Sequence, residues 1–230
     1  MCGQNRHPEK GLWGWRYRPQ AGDNDISVTG WCVLALGAAD SAGLATSRPS
    51  LHGALTYCEE VINRESGLVG YFKRPPEIFG IHRNIQKNDD YTKHPAALAA
   101  MGMCVRSIVK PKVHDTVFEK GAKLILNDLP EWNKVKKSID YNYWFWATLA
   151  LTDFDGPESG RVVHGNYWKS WVLPLKKALL DNQVYRSNLC AEGSWDGDDK
   201  WGIDGGGRVY ATAINTLTLE IYYQYPDVIK

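Results

Sequence analysis

No stretch of this 230-residue chain is apolar for long enough to cross a bilayer, and no basic-then-apolar leader opens it. An excess of either charge is missing too. Lys plus Arg number 27 and Asp plus Glu 26, a formal net charge of +1. Nothing electrostatic therefore draws the chain to nucleic acid or to an anionic membrane surface. Cysteine is sparse and unpatterned. The five, Cys2, Cys32, Cys58, Cys104 and Cys190, are odd in number and form no Cys-x-x-Cys. Most lie in apolar helical patterns, where a thiol behaves as a small hydrophobe. They read as reduced, which argues against a disulfide framework and favours the cytoplasm slightly, with localisation otherwise unassigned. No segment of any length alternates in the manner of a half-buried strand.

What the chain does have is aromatic rings and helical periodicity. Ten tryptophans and twelve tyrosines need deep burial or a cavity to line. Val28, Trp31, Cys32, Ala35 and Leu36 recur at helical spacing and predict a first helix over Asp25 to Gly43 with that face apolar. Ser50 is expected to cap a second helix, Leu51 to Arg64. A third, Pro95 to Val109, is nearly uncharged and should be almost wholly buried, with Pro111 stopping it. Asp115 caps a fourth, Val117 to Asp128. The fifth, Tyr141 to Leu151, is apolar around most of its girth. The sixth, Tyr167 to Gln183, is half charged, and Pro174 should kink or split it. The seventh, Val209 to Tyr225, is again largely apolar. Buried and amphipathic helices thus alternate, and hairpins recur at roughly fifty to sixty residues, as in repeat architectures.

The loops that enter the apolar helices repeat as well. Gln4 precedes Gly11-Leu12-Trp13, and Gln183 precedes Gly193-Ser194-Trp195; each loop then runs through a Gly/Asp-rich turn into a threonine-containing helix. A glutamine at this place can tie one helix end to the next turn through its amide, with the tryptophan packed on top.

These residues resemble the QW-type repeats of the terpenoid cyclase and protein prenyltransferase superfamily. They are most similar to bacterial prenyltransferase or squalene-oxidase repeat proteins, on Gly14 to Trp31 and Gly193 to Tyr223. The resemblance runs over nearly the whole chain. It implies an all-α fold, an α/α toroid, partial or complete, as one domain over 1–230. A closed ring of that family has more helices than the seven read here. The chain is therefore expected to be a partial ring or part of a longer polypeptide, with self-association as one way to cover the end.

The resemblance says less about chemistry, because one fold hosts many functions. In squalene-hopene-type cyclases an acidic segment heads an inner helix and its middle Asp protonates an alkene. Here Asp23-Asn24-Asp25-Ile26-Ser27 stands in that place, so Asp25 would be the acid and Asp23 its neighbour, with Ile26 where the family has a further Asp. Protonating an alkene needs a carboxyl held neutral by burial. Trp31, Tyr143, Trp144, Trp146 and Tyr210 are the aromatic candidates for contact with a ligand or a carbocation. The competing reading is that Asp25 is a helix N-cap, Asp23 ties down the glycine loop and the aromatics are core, and it is preferred because a cap acid is favoured in its charged form. On that reading Asp25→Asn should be mild. Zinc-dependent prenyl transfer is not supported, since no Asp-x-Cys occurs and the last apolar helix has no His. Cys2 and Gln4 are too close to close a thioester ring. Asp196-Gly197-Asp198-Asp199 lacks the glycine and distal glutamate of a calcium loop and reads as a solvated turn. No metal and no cofactor is expected. The sequence thus favours a noncatalytic module that binds an apolar small molecule or a protein partner, with a proton-initiated, class II-type terpene or squalene cyclase as the alternative.

Overall fold

The computed structural model describes residues 3–73, 93–110, 115–157, 166–185 and 190–223. Cys2, Pro111, His82, His114 and His164 lie outside them, as does Tyr225. The described chain is all-α apart from one two-stranded ribbon, β1 (Arg6–His7) with β2 (Gly11–Leu12), paired Arg6 to Leu12 and His7 to Gly11. Seven α-helices follow among the described residues: α1 (Ile26–Ser41), α2 (Arg48–Val61), α3 (Pro95–Val109), α4 (Thr116–Leu126), α5 (Tyr141–Asp155), α6 (Asn166–Leu180) and α7 (Gly207–Tyr223). No helix is long and apolar enough to cross a membrane.

The chain divides into two compact units, 1–124 and 125–230. In the first, α3 is packed by both α1 and α2, and its residues from Leu98 to Ser107 are all buried. In the second, α5 holds the same position between α6 and α7. Its Trp144, Trp146 and Leu151 are 1% exposed or less. In the first unit α2 also touches α1, so each of its three packed helices hides its apolar side on the others.

Helix ends follow cap chemistry. Asp25 caps α1 and Asp140 caps α5, each accepting from the backbone N–H three residues on. Asp115 starts α4 by accepting from Val117 N at 3.0 Å. The cap of α2 is Ser47, not Ser50; Pro49 belongs inside the first turn, where a missing N–H costs nothing. Pro174 does not split α6, which runs unbroken from Asn166 to Leu180. The carbonyl it deprives of a partner belongs to Ser170, which is exposed, so water can satisfy it.

The first apolar helix does not bury the face its spacing suggests. Ile26, Thr29, Gly30 and Val33 are its buried residues, whereas Trp31 is 39% exposed. Small residues decide this. A Cβ on Gly37 would stand 2.6 Å from Ile108 Cγ2 of α3, so the glycine side is the one that allows close approach. The last helix behaves likewise: Ala211, Ile214, Asn215 and Thr218 are buried, while Val209 and Leu217 are exposed.

Close approach also governs α2. A Cβ on Gly53 would lie 2.3 Å from the carbonyl oxygen of Leu12 in β2. Gly53→Ala should therefore lose about 1–3 kcal/mol, although alanine is the better helix former. Urea unfolding checks this; equal or greater stability would show that the ribbon can step back without cost.

The two glycine-tryptophan loops share a set of four bonds. Gln4 Nε2 donates to the carbonyl of Trp13 at 2.6 Å, and Gln183 Nε2 to the carbonyl of Gly193 at 2.7 Å. In each loop the accepting residue sits two before a tryptophan. Asn5 N–H donates to Gly14 and Trp13 N–H returns to Asn5; Val184 N–H donates to Ser194 and Gly193 N–H returns to Val184. Trp15 N–H then reaches Thr29 Oγ1 at 3.0 Å, and Trp195 N–H reaches Thr212 Oγ1 at 3.3 Å. The glutamine ties the turn, and the threonine ties the turn to the helix that follows.

Candidate functional site

Asp25 is wholly buried at the head of α1. Its Oδ1 accepts from Val28 N–H and from Ser27 O–H, both at 2.7 Å. Its Oδ2 accepts from Arg16 Nη1 in an ion pair. Arg16 Nε also reaches Asp23 Oδ2 at 3.2 Å. The guanidinium carbon lies 4.9 Å from the Tyr17 ring centre and 4.8 Å from that of Phe72, so the cation is flanked by aromatic faces. Burial works against the Arg16 charge, but the bond to Asp25 and the charges of Asp25 and Asp23 prevail and raise its pKa. Tyr71 closes the cluster. Its hydroxyl stands 3.3 Å from Ser27 Oγ, and burial, helped by Asp25, pushes it up to about 12.

The two carboxylate oxygens of Asp25 are thus met by a backbone N–H, a hydroxyl and a guanidinium. The arrangement is that of a helix cap locked by an ion pair. Arg16, Tyr71 and Phe72 complete the cluster and did not figure in the sequence reading.

The second loop clarifies the role of that pair. Arg16 is the residue after Trp15, and Asp25 lies four before Thr29. The corresponding places in the second loop hold Asp196, after Trp195, and Arg208, four before Thr212. These two are also ion-paired. The charges have changed places while the bridge remains. Arg208 further donates to Ser194 Oγ at 2.7 Å.

Tyr143, Trp144 and Trp146 are buried along α5. Tyr143 Oη donates at the end of α4, to the carbonyls of Ile125 in its last turn and Asp128 just after it, and its ring meets Trp171 edge-on. Trp144 stacks among Trp132 and Tyr141. Trp31 projects from the half-exposed side of α1. Tyr210 donates to Asp199 Oδ2 at 3.2 Å.

The acidic turn at 196–199 spends its carboxylates on protein groups. Asp196 holds Arg208, Asp198 holds Lys134 at 2.8 Å, and Asp199 accepts from Gly202 N–H at 2.8 Å. Among the described residues no three His, Cys, Asp or Glu side chains stand together in a metal-binding group. Burial raises Asp199. Burial, with Asp199 and Asp128 nearby, raises Asp140 to about 6 against an ordinary 3.8. A raised carboxyl favours the folded state while it is protonated, below about pH 4, and that contribution fades as the pH climbs through 6. Asn caps as well as Asp. Asp140→Asn should thus gain in thermal stability relative to the parent between pH 4 and pH 7. A difference that does not change with pH would contradict it.

No protein-family model, curated protein or solved structure matches the chain.

An open hollow of about 730 Å³ lies in the first unit between the N-terminal segment, α1 and the start of α2. Trp15, Cys32, Ala35 and Leu36 form its apolar wall, and Gln4, Ser47 and Ser50 stand on its polar side. Burial, then the Asp25 charge, lifts the Cys32 thiol above its usual range, so it is neutral at physiological pH.

Proposed function

We propose that this chain is a noncatalytic module of the α/α-toroid type, akin to the terpenoid cyclase and prenyltransferase repeats, that binds an apolar ligand or a protein partner. The observation that carries the reading is the exchanged ion pair. If the carboxyl at Asp25 were there for its proton, an arginine in the equivalent place of the second loop would make no sense. If it is there to hold a loop against a helix, either order of charges serves. The division of each unit into a central helix and flanking helices supports the toroid relationship. The apolar side chains left exposed on α1 and α7, Trp31, Val209 and Leu217 among them, support a binding role.

The cyclase alternative is tested by incubating the chain with squalene or a shorter polyprene and analysing the extract by mass spectrometry. No cyclised product is expected. A cyclic product that disappears in Asp25→Asn would overturn the reading.

A further inference from the structure

The two helices that follow the repeated loops bury opposite sides. The loops set their register, with Thr29 of α1 answering to Thr212 of α7. In α1 the buried residues are Ile26, Thr29, Gly30 and Val33. The same positions in α7 hold Val209, Thr212, Ala213 and Thr216; none is buried, and Val209 is 83% exposed. In α7 the buried residues include Ala211, Ile214, Asn215 and Thr218. Their counterparts in α1 are Val28, Trp31, Cys32 and Ala35, and again none is buried. The covering helices account for the exchange. α1 is packed by α3, the central helix that comes after it in the chain, whereas α7 is packed by α5, the central helix that comes before it. Each helix therefore shows the side that its counterpart hides.

We propose that the open side of α7 in one copy docks on the open side of α1 in a second copy, head to tail. This rests on the binding reading above and names the partner as the chain itself. The side of α7 that would face a later helix is open, and so is the side of α1 that would face an earlier one. One contact between two copies covers both, and it continues the packing that each helix already makes on its other side. The surfaces suit each other. Val28, Trp31, Cys32 and Ala35 are uncharged and largely apolar, and the hollow beside Cys32 and Ala35 leaves room along them. Ala213 and Thr216 are small enough to receive the Trp31 ring, the kind of side chain that anchors interfaces. The two faces are unlike, so the contact is heterologous and each copy can take one neighbour on each face.

Sedimentation equilibrium of the full chain over a concentration series tests this. Trp31→Lys blocks the α1 face and Ala213→Lys the α7 face. Both positions are exposed, so the fold should survive, as circular dichroism would show; Ala35→Lys and Thr216→Lys serve in their place if either does not. The mass of the parent should rise above that of one chain as concentration rises. Each variant alone should stay at the mass of one chain where the parent associates, a loss of at least about tenfold in affinity. Mixed one to one, the two variants should associate again and stop at two chains, because one intact α1 face then meets one intact α7 face. A parent that is monomeric at every concentration would overturn the assignment. So would association that only one variant abolishes, the mark of a face pairing with itself, or a mixture that stays monomeric. None of these outcomes yields a cyclised polyprene, the result that overturns the noncatalytic reading itself.

Discussion

Trp195→Ala should lower the unfolding free energy by about 3–5 kcal/mol, the cost of removing a fully packed tryptophan from a core. The side chain is 2% exposed. Its indole N–H donates to the carbonyl of Leu179 at 2.8 Å, in the last turn of α6, where helix carbonyls have no partner of their own. Its backbone N–H meets Thr212 in α7. One residue thus joins the end of α6 to the helix that follows the loop. Phenylalanine would fill much of the space yet leave the Leu179 carbonyl unmet, so Trp195→Phe should fall between the parent and alanine. The midpoint of urea unfolding reads both. Alanine within about 1 kcal/mol of the parent would mean that the loop repacks and the glutamine-tryptophan tie is dispensable.

Asp25→Ala is expected to cost about 3 kcal/mol. Loss of the cap accounts for about 1 kcal/mol, and loss of hydrogen bonds to a charged group for about 1.5–3 kcal/mol. Arg16 is then left without its buried partner. Its side chain is 22% exposed and can turn to water or to Asp23, which keeps the loss below that of severing a fully buried pair. Arg16→Met should reproduce part of the effect, and the double variant should be less unstable than the sum, because the two residues share one interaction.

Much of the fold could be read from the chain. The third helix is expected at Pro95–Val109 and stands there, since a proline at its start and a nearly uncharged, alanine-rich run leave little choice. The glutamine ties were legible in part: both glutamines bind their loops, but the counterpart of Trp195 is Trp15 and not the tryptophan of Gly11-Leu12-Trp13. What periodicity could not supply was the side on which α1 packs. Val28, Trp31, Ala35 and Leu36 are more apolar than Thr29, Gly30 and Gly37, but contact with α3 is set by how near two backbones can come, and small residues win that contest. The cap at Ser47 was missed for a related reason: Ser47 and Ser50 both have the right chemistry, and only the path of the chain chooses between them.

The site was legible in its parts and not in its connection. Asp25 was recognisable as either a cap or an acid from its place before Val28. The partner that decides between them, Arg16, lies nine residues back across a glycine loop, a separation with no helical or strand period to reveal it. Its discovery alters one expectation. Asp25→Asn, mild for a simple cap, now removes a charge from an ion pair as well. Tyr143, Trp144 and Trp146 were plausible cavity residues because an all-round apolar helix can line a space or fill one. All three are buried, and Tyr143 spends its hydroxyl on the carbonyls of Ile125 and Asp128.

The most direct test of Asp25 as a structural residue is the unfolding free energy of the Asp25→Asn variant. Asparagine retains the cap and nearly the same volume, so the change isolates the negative charge facing Arg16. A structural carboxylate predicts a loss of about 1–3 kcal/mol, the worth of hydrogen bonds to a charged group. An unchanged or increased stability would contradict the account, since a carboxyl kept neutral for proton transfer has no ion pair to lose.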